Sequence, residues 1–487
     1  MRQGPRESAV LAIDAGTTGV RALRIDARGA PAAETYREVL PQHPAPGLVE
    51  HDTEELFAAT LDVVRRALAD DAGAVRGVGL ATQRGTAVVW DAATGRAVHP
   101  ALSWQDCRTA ARCADLMTQG LFVSPLAAAT KLEWLLDRVD PDRRDVSAGR
   151  LRCGTLDAWL AWRLSGGAIS ATDASNASCS GLFDLIGRDW NAPLLDVLRI
   201  PAAALPAIVD SGGILGAVGG DGVPRLDLAA IVGDQQAAMM GELRIAPGEV
   251  KITYGTSAML DLNAGPEPLW SMQGTYPLVL WRRGGVDTFC LEGTAITAGA
   301  AVTWLRDGLG LVATPAETAT LAASVPDAGG AWAIPAFQGL GTPYMDSAAR
   351  AVLGGLSRGT SRAHVVRAVL EGIAWRCREV YDALRAECPY PAPASLRADG
   401  GAARNDVLLQ LQADALGVPV ERPTVLQAGA LGAGYLAGLA TGVWRDVDEL
   451  HAAWRRERTF EPRIGADERE TRFAAWRRHV TAARDEA

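Results

Sequence analysis

Near the amino terminus, apolar and polar residues alternate in short runs separated by glycine-containing turns. Residues 8–39, SAVLAIDAGTTGVRALRIDARGAPAAETYREV, predict successive strands with turns at Gly16 and at residues 28–29. From Asp52 the period becomes helical, and Asp52 with Glu55 forms a capping-box pattern. The apolar face of this helix consists of Phe57, Leu61, Val64 and Leu68. Residues 75–83, VRGVGLATQ, predict another buried strand, and this alternation indicates an α/β layered fold.

The second half of the chain contains the same ingredients as the first. After RIAPGEV, residues 244–250, a new strand and Gly/Thr turn begin in VKITYGTSAMLDLN. A helical stretch, TAGAAVTWLRDGLG, and a late strand-turn-helix, LRADGGAARNDVLLQLQADALG, follow. We therefore expect an amino-terminal domain over residues 8–247 and a carboxy-terminal domain over residues 248–487. The repetition is architectural, because no residue-level repeat with a fixed period is apparent.

Composition agrees with two ordinary globular domains. A chain of 487 residues is too long for one hydrophobic core, and 48% hydrophobic and 22% charged residues are typical of a soluble protein. The formal net charge is −9, and the few basic runs are short, so we expect no nucleic-acid partner. Of the 48 basic residues other than histidine, only Lys131 and Lys251 are lysines.

The sequence also indicates the cellular compartment and whether a structural metal site is expected. The seven cysteines form no CxxC pair, and the histidines show no metal-binding spacing, so we expect reduced thiols and no structural metal. The first residues, MRQGPRESAVLAID, lack the apolar core of a signal peptide, and no run of about 18 apolar residues occurs. We therefore expect a cytoplasmic protein without a membrane partner.

The turn in DAGTTGVR has two interpretations. It is either an ordinary β-hairpin turn or a phosphate site, in which the backbone N–H groups around Gly16, the hydroxyls of Thr17 and Thr18, and the Arg21 guanidinium surround phosphate oxygens. In the second interpretation Asp14, at the end of a buried strand, holds a hydrated Mg²⁺ ion.

A second carboxylate, Asp234 in IVGDQQAAMMG, follows an apolar strand at the head of a helix. There it is either a helix cap or a carboxylate exposed to a ligand. Capping does not explain the paired glutamines that follow, nor the turns in YGTSAML and DGGAARND, which suit close approach of a backbone to a ligand.

Taken together, these segments resemble the FGGY carbohydrate kinases, and among them most closely the glycerol kinases. The resemblance covers nearly the whole chain. It is carried by DAGTTGVRALRID, TQRGTAVVWDAATGRAVHPALSWQDCRT, CGTLDAWLAWRLSGG, TDASNASCSGLFD, GDQQAAMMG, TYGTSAML, LEGTAITAGAAVTWLRDGLG, FQGLGTPYMDSAARA and DGGAARNDVLLQLQADALGVPVERP.

The resemblance implies two actin/hexokinase-like (ribonuclease H-like) domains. Each has a five-stranded mixed sheet with flanking helices, and ATP binds in a cleft between them. It also implies ATP and Mg²⁺ as cofactors, a sugar or polyol as acceptor, and a homodimer or homotetramer.

The family pattern assigns roles to individual positions. Asp234 matches the general base, and Asp14 and Asp234 match the metal site. The positions that match the ATP site are Thr17, Thr18, Arg21, Thr256, Gly299, Gly401 and Asn405. For Asn405 a plain helix cap is an equally good interpretation. The positions that match the acceptor site are Arg84, Gly85, Trp104, Leu126, Asp234, Gln235 and Met259, and for Trp104 a buried core position remains the alternative.

The chain departs from the glycerol kinases in its acceptor residues. Those kinases carry a glutamate directly after the arginine, in QRET, whereas this chain has Gly85; they also carry a tyrosine where it has Leu126 and a phenylalanine where it has Met259. Such changes predict added volume and an Arg84 without a partner, which disfavours glycerol. We therefore expect a larger acceptor, such as a tetritol, pentitol or ketopentose, with true glycerol kinase as the alternative. The MHG motif of xylulokinases is absent.

Two other classes are weighed against a kinase. Actin-like ATPases and heat-shock chaperones share the fold and the phosphate hairpin, but they lack the GDQQAA carboxylate, the acceptor tryptophan and the QR turn. A catalytically silent sugar-binding relative is the other alternative. The presence of Asp14, Asp234, Thr17 and Thr256 gives no sign of such a loss.

Overall fold

The computed structural model describes residues 9–69 and 72–485. Ser8 and residues 486–487, which the expected domains include, lie outside that range. The chain forms two compact units. The first contains the residues up to Leu243 together with Leu278–Thr288 and Gly429–Trp454, and the second contains Arg244–Pro277, Phe289–Ala428 and the residues from Arg455 onward.

The first unit is built on a mixed sheet. In spatial order its strands are Gly212–Gly220, Val223–Gly233, Val75–Thr82, Ala9–Ala15, Gly19–Asp26 and Pro31–Glu38. The last three are joined by antiparallel pairings, whereas Ala9–Ala15, Val75–Thr82 and Val223–Gly233 run parallel. Val10, Leu11, Ala12 and Val232 are fully buried, so the sheet is the centre of this unit's core.

The second unit repeats that plan. The sheet that contains most of its strands has the order Tyr276–Arg283, Val286–Ala295, Ala258–Gly265, Val250–Tyr254, Leu396–Asp399, Val420–Pro423 and Arg456–Phe460. Residues 278–288 of its first two strands belong to the first unit. The strand that comes first in sequence, Val250–Tyr254, forms an antiparallel hairpin with the next strand and pairs on its other side with a parallel strand. The strand Ala9–Ala15 of the first unit is paired in the same way. The expected mixed-sheet fold is therefore confirmed. The sheets have six and seven strands rather than five, because additional strands pair along their edges.

Smaller strands and the helices complete each unit. In the first unit a four-stranded sheet has the order Glu50–His51, Ala101–Leu102, Ala87–Asp91 and Leu151–Thr155. Two strand pairs are Phe183–Asp184 with Asp189–Trp190 and Ala171–Asp173 with Ala207–Val209. Its helices are Thr53–Leu68, Ala110–Thr118, Ala129–Val139, Arg144–Ser147, Leu156–Ser165, Ala174–Cys179, Ala192–Val197, Asp234–Gly241 and Val447–Ala453, with Ala428–Thr441 beginning at the unit boundary.

The second unit has fewer but longer helices. They are Gly299–Thr303, which continues as a π-helical turn over Trp304–Gly308, and Glu317–Ala323, Arg362–Ala386, Asp406–Leu416 and Ala466–Asp485. Trp332–Ile334 pairs with Val352–Gly354 in a separate two-stranded sheet. Within residues 9–69 and 72–485, no helix is both long enough and apolar enough to cross a bilayer.

The predicted helix after Asp52 illustrates how local sequence sets these elements. Thr53–Leu68 forms it, and the Asp52 side chain accepts a hydrogen bond from the Glu55 N–H. This cap satisfies a backbone donor that the first turn leaves unpaired. The four apolar residues of the predicted face are all buried.

The helix Ala428–Thr441 approaches the first unit's sheet unusually closely. A Cβ atom added at Gly432 would collide with the Ala237 carbonyl oxygen, and one added at Gly79 would collide with the Ala433 carbonyl oxygen. Backbone therefore packs directly on backbone along this helix, which fixes its position against the Asp234–Gly241 helix and the Val75–Thr82 strand.

Gly432→Ala is expected to destabilise the protein by about 3 kcal/mol, since a side chain there must push two backbone segments apart. The midpoint of urea unfolding measures this effect. Gly213→Ala is the matched control in the same unit, because a Cβ atom there meets no atom within 4 Å. Equal midpoints for the two variants would contradict the packing described.

Candidate functional site

Three sequence-predicted residues follow three adjacent parallel strands of the first unit. Asp14 lies near the end of Ala9–Ala15, Arg84 comes two residues after Val75–Thr82, and Asp234 directly follows Val223–Gly233. The register pairs Asp14 with Ala81, and Ala81 with Val232. Because the carboxyl ends of parallel strands meet at one sheet edge, the fold brings two carboxylates and a guanidinium to the same edge.

Arg84 contacts two oxygen-bearing side chains of one helix. Its Nε is 3.0 Å from Asp234 Oδ1, and its Nη1 donates to Gln236 Oε1 at 3.4 Å. The expectation that Arg84 loses its partners is therefore wrong, because the Asp234–Gly241 helix supplies both of these oxygens. The pair is mostly buried, with 12% and 28% of the side-chain surfaces exposed.

Asp234 occupies the first turn of its helix. Gly233 is the N-cap residue, and Asp234 Oδ1 also accepts a hydrogen bond from the Gln235 N–H at 2.8 Å. The preceding backbone is held by Ser175, whose Oγ accepts a hydrogen bond from the Gly233 N–H at 2.9 Å. Gln235 is half-buried beside Asp234. The carboxylate is thus fixed by an arginine and by its own helix start.

Asp14 is a carboxylate whose pKa is strongly raised. Burial and the neighbouring Asp234 charge raise its pKa to about 7, while Arg21 acts in the opposite direction. Two carboxylates at one sheet edge favour a cation between them, and Mg²⁺ is typically held by one or two carboxylates with water and phosphate oxygens. The donor set at Asp14 and Asp234 therefore fits Mg²⁺. No group of three or more metal-binding side chains occurs among the described residues.

The turn of the first hairpin consists of residues 16–18. Thr17 is half-buried and Thr18 is exposed, and the Thr18 carbonyl oxygen accepts a hydrogen bond from the Tyr36 hydroxyl at 3.0 Å. Arg21 is paired across the hairpin with Asp14 and forms an ion pair with Glu34. The backbone turn and the cation of the predicted phosphate site are therefore on the same hairpin.

Trp104 links the acceptor positions to this hairpin. Its Nε1 donates to Thr17 Oγ1 at 2.9 Å, and its indole is only partly buried. The alternative of a fully buried core tryptophan does not describe it. A direct hydrogen bond between Trp104 and Thr17 places a predicted acceptor residue next to a predicted phosphate residue.

Residues 124–127 form a loop that packs against Gly85 and is named the acceptor loop. Gly85 is buried with φ = 69°, and a Cβ atom there would lie 2.5 Å from the Leu126 carbonyl oxygen and 3.5 Å from Trp104 Cβ. The expected gain in volume at Gly85 is therefore wrong, because backbone of the acceptor loop occupies that space. The Leu126 side chain is 42% exposed.

The remaining predicted residues belong to the second unit. Thr256 is exposed in the turn between Val250–Tyr254 and Ala258–Gly265, where its carbonyl oxygen accepts from the N–H groups of Ala298 and Ala300. Gly299 donates its N–H to the Gly255 carbonyl oxygen at 3.0 Å. The half-buried Met259 accepts a hydrogen bond at sulfur from Thr294 Oγ1 at 3.3 Å.

Two predicted nucleotide residues lie in the DGG turn of the second unit. A Cβ atom at Gly401 meets no atom within 4 Å, so open space adjoins this glycine. Asn405 caps the Asp406–Leu416 helix by accepting from the Val407 and Leu408 N–H groups, and its Nδ2 donates to Thr318. The capping interpretation of Asn405 is therefore realised.

Several residues that build the site escaped the sequence analysis. They are Gln236, which contacts Arg84, Ser175, which holds Gly233, and Lys131, which contacts the acceptor loop. Ser175 has no local signal, because its role depends on a tertiary contact. Lys131 does have one, since lysine is nearly absent from this arginine-rich chain.

Comparison with known proteins identifies relatives of both halves. Residues 9–241 match the model of the FGGY family of carbohydrate kinases, N-terminal domain, and residues 250–441 match the model of the corresponding C-terminal domain. These matches together span well over half of the chain.

Curated relatives and a solved structure cover nearly the full length. A glycerol kinase of Aromatoleum aromaticum is 46% identical over 98% of this chain and 99% of its own, and one of Dechloromonas aromatica is 45% identical over 97% and 96%. The crystal structure of Plasmodium falciparum glycerol kinase with ADP is similar with a TM-score of 0.90 and 26% identity, covering 98% of each chain.

Asp14→Asn is expected to make stability less dependent on pH. The folded pKa of Asp14, about 7, lies above its ordinary value of 3.8, so folding binds this proton more tightly. The contribution of Asp14 to stability therefore falls as pH rises from about 4 to about 7. We expect the variant to have the higher Tm at about pH 8 in the presence of a chelator, with the difference shrinking toward about pH 5. The exposed Asp142→Asn should retain the wild-type slope. An unchanged slope in Asp14→Asn would refute this electrostatic account.

Proposed function

The chain belongs to the FGGY family of carbohydrate kinases, and from its similarity to glycerol kinases of that family we propose that glycerol is the alcohol that it phosphorylates. It is an ATP-dependent phosphotransferase that uses Mg²⁺ and has an alcohol group as acceptor. The glycerol assignment rests on relatives of 41–46% identity over nearly the full chain, each named glycerol kinase.

The observation that carries the proposal is the hydrogen bond from Trp104 Nε1 to Thr17 Oγ1. It supports placing the acceptor beside the phosphate hairpin, within reach of the Arg84–Asp234 pair. A tryptophan with an apolar face and a polar edge suits the carbon chain of a small polyol.

In this proposal Asp234 accepts the proton of the attacking hydroxyl. An ordinary carboxylate is too weak a base to ionise a free alcohol, so proton transfer is late, as the oxygen bonds to phosphorus. Arg84 orients the carboxylate through its 3.0 Å contact, and Gln235 binds a second hydroxyl. Positioning then contributes more than basicity, as is usual in phosphoryl transfer.

The phosphate side of the reaction is assigned to Thr17, Thr18 and Arg21. Asp14, with Asp234, would hold Mg²⁺, which when bound neutralises charge on the phosphate oxygens. In the second unit, Thr256, Gly299, Gly401 and Asn405 are proposed for the nucleotide. The open space beside Gly401 supports that assignment.

A second candidate acceptor is a longer polyol or ketopentose. Leu126 and Met259 favour it, because neither side chain offers the polar or aromatic group found at these positions in glycerol kinases. The filled space beside Gly85 weighs against it, since a longer chain gains no room there.

Asp234→Asn is expected to lower kcat at least about a hundredfold, as removal of a general base typically does, with much less effect on ATP affinity. A coupled assay of ADP release and nucleotide titration by intrinsic fluorescence measure the two quantities. Asp227→Asn, which changes an exposed carboxylate on the strand that precedes Asp234, is the control. Wild-type turnover in Asp234→Asn would refute the assigned role.

A panel of glycerol, erythritol, xylitol and D-xylulose assayed with ATP discriminates between the two acceptors. We expect kcat/KM to be highest for glycerol. For the other compounds it should fall about tenfold or more for each additional group that fits poorly. A four- or five-carbon acceptor that exceeds glycerol would establish the second candidate instead.

A further inference from the structure

The two lysines of this chain are both fully buried, although lysine is normally a surface residue. Lys251 forms an ion pair with the buried Asp261 at 2.7 Å. Lys131 differs: its ammonium donates to the carbonyl oxygens of Trp104 at 3.1 Å and Leu126 at 3.3 Å. Within the part of the chain that the structure describes, no carboxylate lies within ion-pair distance of Lys131.

Burying an ammonium group without a counter-ion is costly, so the contacts of Lys131 merit an explanation. Both of its acceptors are backbone carbonyls of segments that form the proposed acceptor site. One belongs to Trp104, whose indole contacts Thr17, and the other to the acceptor loop. Lys131 therefore joins the two segments that flank Gly85.

The Leu126 carbonyl oxygen lies where a side chain at position 85 would begin. A Cβ atom on Gly85 would be 2.5 Å from this oxygen, which is well inside van der Waals contact. The positive φ of Gly85, 69°, further disfavours any other residue. The Leu126 carbonyl oxygen thus adjoins the position from which the glutamate side chain of glycerol kinases extends.

We propose that Lys131 is a positioning residue for acceptor specificity: it holds the Leu126 carbonyl oxygen beside Gly85, where that oxygen accepts a hydrogen bond from a substrate hydroxyl in place of the glutamate carboxylate. This inference rests on the proposed function. It explains how a chain without that glutamate retains an oxygen atom that can accept a hydrogen bond beside Gly85.

The chemistry of the carbonyl group suits this role. A backbone carbonyl oxygen has two lone pairs, and Lys131 uses one of them. The charged donor polarises the carbonyl and fixes its direction. Without this contact the loop backbone would have to fix the direction by itself. A neutral oxygen held this way also leaves the charge balance of the Arg84–Asp234 pair undisturbed.

The surroundings of the Lys131 ammonium make its contact with the Leu126 carbonyl dependent on pH. Burial lowers the pKa of Lys131 to about 7, against the effects of Asp106, Cys107 and Cys113 and in the same direction as Arg108. Above that pH the amine becomes neutral and its hold on the carbonyl weakens. The acceptor KM should therefore rise above about pH 7 in the wild-type enzyme.

Lys131→Met tests the role directly, because it keeps most of the unbranched side chain and removes the donor. With the best acceptor of the wild-type enzyme, we expect the acceptor KM to rise about tenfold, as loss of a charged hydrogen bond predicts, while the KM for ATP stays within about twofold. The rise of acceptor KM with pH should disappear in this variant. Arg138→Met, an exposed cation on the same helix, is the control.

Gly85→Ala provides an independent test that leaves the lysine in place. Its methyl group must displace the Leu126 carbonyl, so the acceptor KM should again rise about tenfold. Since both substitutions act on one oxygen atom, the double variant should lose less than the product of the single losses. The Gly85→Ala variant alone and the wild-type pH profile remain informative even if Lys131→Met fails to fold.

The outcomes separate the inference from the function on which it rests. If the wild-type enzyme turns over none of the acceptors, the proposed function fails and the inference fails with it. If the wild-type enzyme is active and its acceptor KM is unchanged by Lys131→Met, Gly85→Ala and pH, the inference alone is overturned. Fully multiplicative losses in the double variant would also overturn it.

Discussion

The register of three parallel strands is the constraint on which the candidate site depends. Asp14, Arg84 and Asp234 come from segments far apart in sequence, yet each lies at or just beyond the carboxyl end of one of these adjacent strands. Strand pairing leaves no freedom to slip by one residue, because a slip would turn every buried side chain to the other face. The ion pair between Arg84 and Asp234 is thus a consequence of sheet register.

Close packing of the helix Ala428–Thr441 reinforces that register. Gly432 of this helix lets its backbone contact that of Ala237, and Gly79 of the Val75–Thr82 strand lets the strand contact Ala433 of the helix. A Cβ atom at Gly429 would lie 3.3 Å from the Asp234 carbonyl oxygen and 3.7 Å from Asp14 Oδ2, so the same helix reaches both carboxylate positions. A segment near the end of the chain therefore stabilises a site whose chemistry lies in the first half.

The contacts of Gly85 show how backbone can take the space of a missing side chain. The loss of a side chain at position 85 could have left a void, but the Leu126 backbone lies there and Lys131 contacts it. Substituted side chains therefore do not measure the size of a pocket by themselves, because neighbouring backbone can move into the space.

Much of the fold could be predicted from the sequence, because local patterns specify its individual elements. Apolar alternation, the Asp52 cap and the Gly/Thr turns each specify a short element, and the two hairpins occur where these patterns predict them. The strand-end positions of Asp14 and Asp234 were predictable for the same reason. The partners of Arg84 and the path of the acceptor loop were not, because they depend on the contact of Arg84 with Gln236 and of Gly85 with Leu126, which no local pattern encodes.

The most direct test of the account is a crystal structure of the wild-type enzyme with glycerol, Mg²⁺ and an ATP analogue that cannot transfer its terminal phosphate. The account predicts one glycerol hydroxyl within about 3 Å of the Asp234 carboxylate, which is the distance proton transfer requires, and the terminal phosphate at the Thr17 turn. Glycerol bound away from Asp234, or a terminal phosphate remote from Thr17, would contradict it.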